Sequence, residues 1–194
     1  MSRRALLFKE KGIIIPPNLI AMYQFEDSGI DSVGNAPTGV LDNSATYADG
    51  LVGRTLNTET GTTQAKFEIP SNEILTMATA TADRDFSIDF IVYENVLGSS
   101  VAYVNMQNAF RVQKISNRFD FYIDDNINTT YLRKYIGPKT ITAQTWYHIA
   151  FTVDNTTNAS GMKCYIDGVA QTSIATIDTL TLTTLTTADL YIGS

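Results

Sequence analysis

Thr145–Asp154, T-W-Y-H-I-A-F-T-V-D, decides the fold when read with the two phrases that follow it: K-C-Y-I-D-G-V at Lys163–Val169 and L-Y-I-G-S at Leu190–Ser194. The first is a run of eight apolar and β-favouring residues with apolar groups on both faces, so a central strand is expected at Trp146–Val153. In the second, Asp167-Gly168 sits between two short β-prone runs, the dipeptide that best suits a two-residue hairpin. The third opens another strand. No catalytic group stands in the Asp-Gly hairpin or the closing run.

Working outward, the same grammar recurs. Phe86, Ile88, Phe90 and Val92 alternate with Ser87, Asp89 and Ile91, a period of two that fits a half-buried strand. Val101–Met106, Ala109–Ile115 and Arg118–Ile123 repeat it across Gln107-Asn108 and Ser116-Asn117, short turns suited to antiparallel hairpins. Tyr131–Ile136 and Leu19–Phe25 are further expected strands. Glycines at 50 and 53 suggest a bend within Thr46–Leu56, and Pro70 stops a short strand at Ala65–Ile69. Ser71–Ala82 is read as a short helical turn, and Ile177–Leu185 as strand or ordered loop. Ten to twelve short strands without a long amphipathic helix mean an all-β antiparallel sandwich or barrel.

Bulk properties narrow the function classes. A chain of 194 residues is one domain by length and large enough to hold a core without disulfides or metals. Its single cysteine, Cys164, lies mid-strand and packs as a small hydrophobe. The net charge of −6 argues against nucleic acid as the main partner. The charge is uneven: residues 1–12 carry Arg3, Arg4, Lys9 and Lys11 against Glu10, and Arg111–Lys139 holds six basic residues against three aspartates. Residues 1–18 read as an N-terminal arm ending at Pro16-Pro17, whose basic groups are candidates for docking on an acidic protein surface. The domain proper is then 19–194. Neither a signal peptide nor an apolar run of membrane-spanning length is found, so synthesis in the cytoplasm is expected.

Four phrases together resemble a known family. L-I-A-M-Y-Q-F-E-D-S-G-I-D-S-V-G-N (Leu19–Asn35), Y-A-D-G-L-V-G-R-T-L (Tyr47–Leu56), D-F-S-I-D-F-I-V (Asp85–Val92) and the closing Trp146–Ser194 stretch occur in the order seen in laminin-G-like jelly rolls of the concanavalin A-like lectin/glucanase superfamily. The resemblance implies an antiparallel β-sandwich of the jelly-roll type. It also implies a further strand beyond L-Y-I-G, which this sequence does not carry. That strand would come from a longer polypeptide, from the Ile13-Ile14-Ile15 segment of the arm, or from a partner that donates it.

The resemblance raises enzymatic and binding readings. Glycoside hydrolysis needs two carboxylates flanking the bond. The nearest stretch, Asp83–Glu94, offers Asp85 and Asp89 but not the glutamates or spacing of the family's glucanases. His148, the sole histidine, sits on an expected strand with no nucleophile signature around it. Asp27, Asp31 and Asn35 fall where some relatives bind calcium and are the candidate metal ligands, with ordinary turn-making as their competing role. Tyr93, Tyr103, Tyr122, Tyr131 and Tyr135, with Asn126 and Asn128, are candidates for a glycan surface. The expectation is a non-enzymatic binding module. As a virion component (capsid decoration, head fibre or tail fibre) it would sit in an oligomeric assembly with other virion proteins. As a cell-surface lectin it would carry a secretion signal outside this sequence.

Overall fold

The computed structural model describes residues 2–4, 19–51, 53–58, 65–72, 85–95, 100–107, 109–116, 118–124, 130–136, 141–154, 159–180 and 188–193. Fifteen strands lie among them, in chain order: β1 Ser2–Arg4, β2 Val40–Asp42, β3 Thr46–Asp49, β4 Arg54–Asn57, β5 Lys66–Ile69, β6 Phe86–Tyr93, β7 Ser100–Met106, β8 Phe110–Ile115, β9 Arg118–Asp124, β10 Tyr131–Ile136, β11 Trp146–Val153, β12 Met162–Ile166, β13 Val169–Ala170, β14 Ser173–Asp178 and β15 Leu190–Ile192. A 3-10 turn at Ala159–Gly161 precedes β12, and no α-helix occurs among the described residues.

The strands form two antiparallel sheets. One runs β13-β12-β11-β6-β1-β4-β3, the other β14-β10-β9-β8-β7-β15-β5-β2. The sandwich expected from the period-two phrases is therefore present, and β11 and β15 have the bounds read from sequence. Both-face burial of β11 is not what is found. Its burial strictly alternates, with Tyr147, Ile149, Phe151 and Val153 inward and the intervening residues half-exposed. Asp167 and Gly168, with φ of 52° and 77°, make the hairpin turn between β12 and β13. Left-handed values at both central positions are what a tight, right-twisting hairpin needs.

Aromatic rings fill the space between the sheets. Phe151 of β11 meets Phe121 of β9 at 4.7 Å between centroids, Phe86 meets Phe110 at 5.6 Å, and Phe90 meets Tyr103 at 5.7 Å. Each buried ring contributes about 1.5–3 kcal/mol from area alone. One ion pair also crosses the core. Lys114 Nζ of β8 lies 2.7 Å from Glu94 Oε2, just past β6, and both side chains are almost fully buried. The Tyr103 hydroxyl donates to the other Glu94 oxygen.

Three readings change. Leu19–Phe25 is not a ladder strand; it holds one isolated bridge, Tyr23 to Asp31. The Met22 N–H is taken by the Asp31 carboxylate, and Phe25 turns to a φ of 57°, so the backbone partners a loop instead of a neighbouring strand. The suggested bend at residues 50–53 is a true hairpin between β3 and β4, closed by Gly50 N–H donating to Gly53 O at 2.8 Å. The first residues of the expected arm lie inside a sheet: Ser2–Arg4 pairs with β4 on one side and β6 on the other. Ile13–Ile15 lie outside the described residues, as do residues 73–82 of the helical turn expected at Ser71–Ala82.

A close backbone approach anchors the loop before β2. Gly39 N–H donates to Gly29 O at 2.9 Å, and a Cβ on Gly39 would sit 2.3 Å from the Phe67 ring. Gly39→Ala is expected to cost about 1–3 kcal/mol in denaturant unfolding, because the fully buried ring must shift. Lys114→Met is expected to cost about 3–5 kcal/mol by leaving Glu94 buried without its cation. The double variant Lys114→Met/Glu94→Gln should recover most of that loss in the same measurement, since no uncompensated charge remains.

Candidate functional site

Alternation along β8, β9 and β10 sends apolar groups into the core and leaves a polar, aromatic face outside. Phe110, Val112, Phe119, Phe121, Ile123 and Leu132 are buried. The residues between them face outward, where register aligns Arg111 with Tyr122, Tyr122 with Arg133, and Gln113 with Asp120. Asp120 organises this face. Arg133 donates to both of its oxygens, with Nε at 3.0 and 3.1 Å and Nη2 at 2.8 Å, while Gln113 Nε2 donates to Oδ2 at 2.6 Å. The hydrogen bonds that Arg133 donates to Asp120 hold its pKa above its ordinary value.

The held guanidinium orders the rings. Arg133 lies 4.5 Å from the Tyr135 centroid and 5.8 Å from that of Tyr122, and Arg118 also lies over the Tyr135 ring, 4.8 Å from its centroid. Tyr122 and Tyr131 pack at 5.1 Å. Three of the tyrosines singled out for glycan contact, Tyr122, Tyr131 and Tyr135, are thus brought together on one face. Burial, then the nearby Asp124 carboxylate, raise the Tyr122 pKa, so its hydroxyl stays protonated at neutral pH and can both donate and accept. At the end of this face a depression of about 160 Å³ opens between Asn105, Gln107, Arg111, Tyr122 and Asp124.

The other candidates fall elsewhere. Tyr93 is on the opposite sheet, packed at 5.0 Å against Trp146. Tyr103 is 1% exposed and committed to Glu94, so it cannot serve as a platform. Asn126, Asn128, Lys9 and Lys11 lie outside the described residues, and Arg3 and Arg4 are ladder positions of β1. His148 Nε2 lies 2.9 Å from both Asp89 oxygens, which accept from it in the tautomer that carries the proton there, so the two form a surface pair. Asp85 lies just before β6.

The calcium reading of Asp27, Asp31 and Asn35 does not survive the geometry. Asp31 Oδ1 accepts from the N–H groups of Met22 (2.7 Å) and Val33 (3.0 Å), and Oδ2 from those of Asn35 (2.8 Å) and Ala36 (2.9 Å). Four donors converge where a cation would have to sit. Asp27 is engaged by Arg54 Nε at 2.9 Å. Asp31 is the organiser of its loop, the turn-making role that competed with metal binding in the sequence.

The residues that sequence reasoning missed are Asn105, Arg111, Asp120 and Arg133. For the last three the signal lies in the basic stretch Arg111–Lys139, which composition alone presents as a block of charge. Read with period two, it divides. Arg111 and Arg133 face outward, whereas Lys114 and Lys134 turn inward. Lys134 Nζ donates to the carbonyls of Ala159 (3.1 Å) and Met162 (2.5 Å), and desolvation lowers its pKa.

Burial pulls the Asp31 pKa upward, but its four amide hydrogen bonds outweigh that and hold it below the ordinary 3.8. A lowered folded-state pKa gives stability that is complete above 3.8 and is lost as pH falls through the lower folded value. Asp31→Ala is therefore expected to lower neutral-pH stability by about 1.5–3 kcal/mol. The gap between variant and wild type should narrow in acid unfolding titrations below pH 3.8.

Comparison with known proteins gives the fold a family. No curated protein matches the sequence. Among solved structures, the binding domain of Paraclostridial Mosquitocidal Protein 1 superposes with a TM-score of 0.62 at 17% identity, over 87% of this chain and 45% of that one. The binding domain of botulinum neurotoxin DC, solved in complex with rat synaptotagmin II, gives 0.61 at 19% identity, over 84% and 40%. The same neurotoxin domain in complex with SialylT gives 0.58 at 17% identity, again over 84% and 40%. This chain thus spans less than half the length of these toxin domains, and at such identities the likeness is one of fold. A laminin G family model matches residues 60–194, which takes in every strand from β5 to β15, and by that match the chain belongs to the concanavalin A-like lectin/glucanases superfamily.

Proposed function

We propose that this chain is a non-enzymatic, glycan-binding adhesion module that presents the outer face of β8–β10 to its ligand. The observation that carries the reading is the ordered Tyr122–Tyr131–Tyr135 surface, fixed by the Arg133–Asp120 pair and opening on a depression lined by amide and carboxylate groups. Aromatic faces stack on the C–H faces of sugar rings, and amides, carboxylates and hydroxyls answer the sugar hydroxyls. The described carboxylates of this region suit binding better than hydrolysis. Asp120 is locked by Arg133 and Gln113, and Asp89 on the opposite sheet is paired with His148. A general acid and its partner need room for a glycosidic bond between them.

The module is placed on a virion, as a capsid-decoration, head-fibre or tail-fibre component that holds the domain outward in an oligomeric assembly. The acidic net charge of −6, which keeps an outward-facing domain soluble, supports this assignment. Co-sedimentation of the native protein with assembled particles tests the placement; recovery from a bacterial cell surface in place of particles would contradict it and favour a surface lectin.

On a glycan array, Tyr122→Ala is expected to weaken binding by about tenfold or more, the loss typical of an aromatic anchor. Tyr93→Ala, on the other sheet, should bind as wild type. Chelation should leave binding unchanged, since Asp31 has no free lone pair for a cation.

A further inference from the structure

The depression beside Tyr122 has two chemically different walls. Arg111 is exposed, and its Nε donates to Asn105 Oδ1 at 3.2 Å. Its two terminal nitrogens make no hydrogen bond or ion pair among the described residues. Tyr122, its cross-strand neighbour, separates it from Asp124, which is the last residue of β9 and is mostly buried. Arg133, the other guanidinium next to Tyr122, is spent on Asp120. Arg111 is thus the cation of this region that remains available at the depression. The surrounding protein is acidic overall, with 20 Asp and Glu against 14 Lys and Arg. An exposed guanidinium fixed at its Nε by an amide presents its Nη edge in one orientation, the geometry suited to a carboxylate.

From this arrangement we infer that the β8–β9 depression recognises a carboxylate-bearing sugar, a uronic or nonulosonic acid, with Arg111 as the residue that selects it. The inference rests on the glycan-binding reading of the same face and deepens it. The sugar ring lies on Tyr122. Its hydroxyls donate to Asp124 and exchange hydrogen bonds with Asn105 and Gln107, which line the same depression. Its carboxylate takes the two free N–H edges of Arg111. A neutral sugar satisfies the first two sets of contacts and leaves Arg111 in water. A plain anion such as sulfate satisfies Arg111 alone and meets repulsion from Asp124. The pairing of one cation and one carboxylate across an aromatic ring therefore specifies a ligand with both hydroxyls and an acid group.

Calorimetric titration with matched probes tests this: oligogalacturonate against its methyl ester, and N-acetylneuraminyl-lactose against lactose. At least one acidic probe is expected to bind about tenfold or more tightly than its neutral partner, the scale of one charge-assisted contact. Arg111→Gln should bring that acidic probe down to the level of its neutral partner, and Arg111→Lys should restore only part of the difference. Added salt should weaken the acidic probe selectively. Equal binding of acid and neutral partners, lost in Tyr122→Ala, would overturn the inference while leaving the glycan-binding reading standing. A preference for acid that survives Arg111→Gln would also overturn it. Binding of none of the four probes, and of no glycan on an array, would overturn both.

Discussion

The middle strands of the eight-stranded sheet, β8, β9 and β10, must serve two opposite environments with alternate residues, and the rest of the structure depends on that constraint. In β9, Phe119, Phe121 and Ile123 enter the core while Arg118, Asp120 and Tyr122 take the outer side, where Asp120 is buried under Arg133 and Gln113. A slip of one residue would bury the charged set and expose the rings. Cross-sheet contacts such as Phe121 to Phe151 fix the register from inside. The Arg133–Asp120–Gln113 bonds fix it from outside, because they join β10, β9 and β8 at one level. The aromatic face is thus a consequence of the core's register, and its order does not rely on loops.

The two inward-facing lysines show the cost of the same constraint. Lys114 and Lys134 occupy inward positions of β8 and β10; Lys114 is fully buried and Lys134 half-buried. Lys114 is compensated across the sandwich by Glu94, so it ties one sheet to the other. Lys134 is compensated by two carbonyls at the 3-10 turn and the start of β12. Such groups add little net stability against apolar replacements, but they penalise any packing in which their partners are misplaced. They act here as cross-sheet address labels.

Much of this fold is legible in the sequence because period two and tight turns are local signals. Phe86–Tyr93, Trp146–Val153 and the Asp167-Gly168 hairpin depend on neighbours a few residues away. What escaped reading depends on distant partners. Leu19–Phe25 has strand composition, yet Asp31 captures its backbone donor and converts it to loop. Val40–Asp42 became a strand only because β5 offers an edge. At the candidate site, Tyr122 and Tyr131 were visible as residue types. The role of Arg133 was not, because it arises from a pairing with Asp120 across two strands. The calcium reading failed for a related reason: the same Asp and Asn residues make turns or bind metals, and only the direction of the surrounding N–H groups distinguishes the two.

The central claim is that ligand is held on the outer face of β8–β10. Mapping ligand-induced chemical-shift changes on isotopically labelled protein, titrated with a glycan it binds, tests this most directly. The largest changes are expected on the ring of Tyr122, its neighbour Tyr131 and the side chain of Arg111, with Tyr93 and Trp146 on the opposite sheet unmoved. Changes centred on Tyr93 and Trp146, or on the Asp27–Asn35 loop, would contradict it.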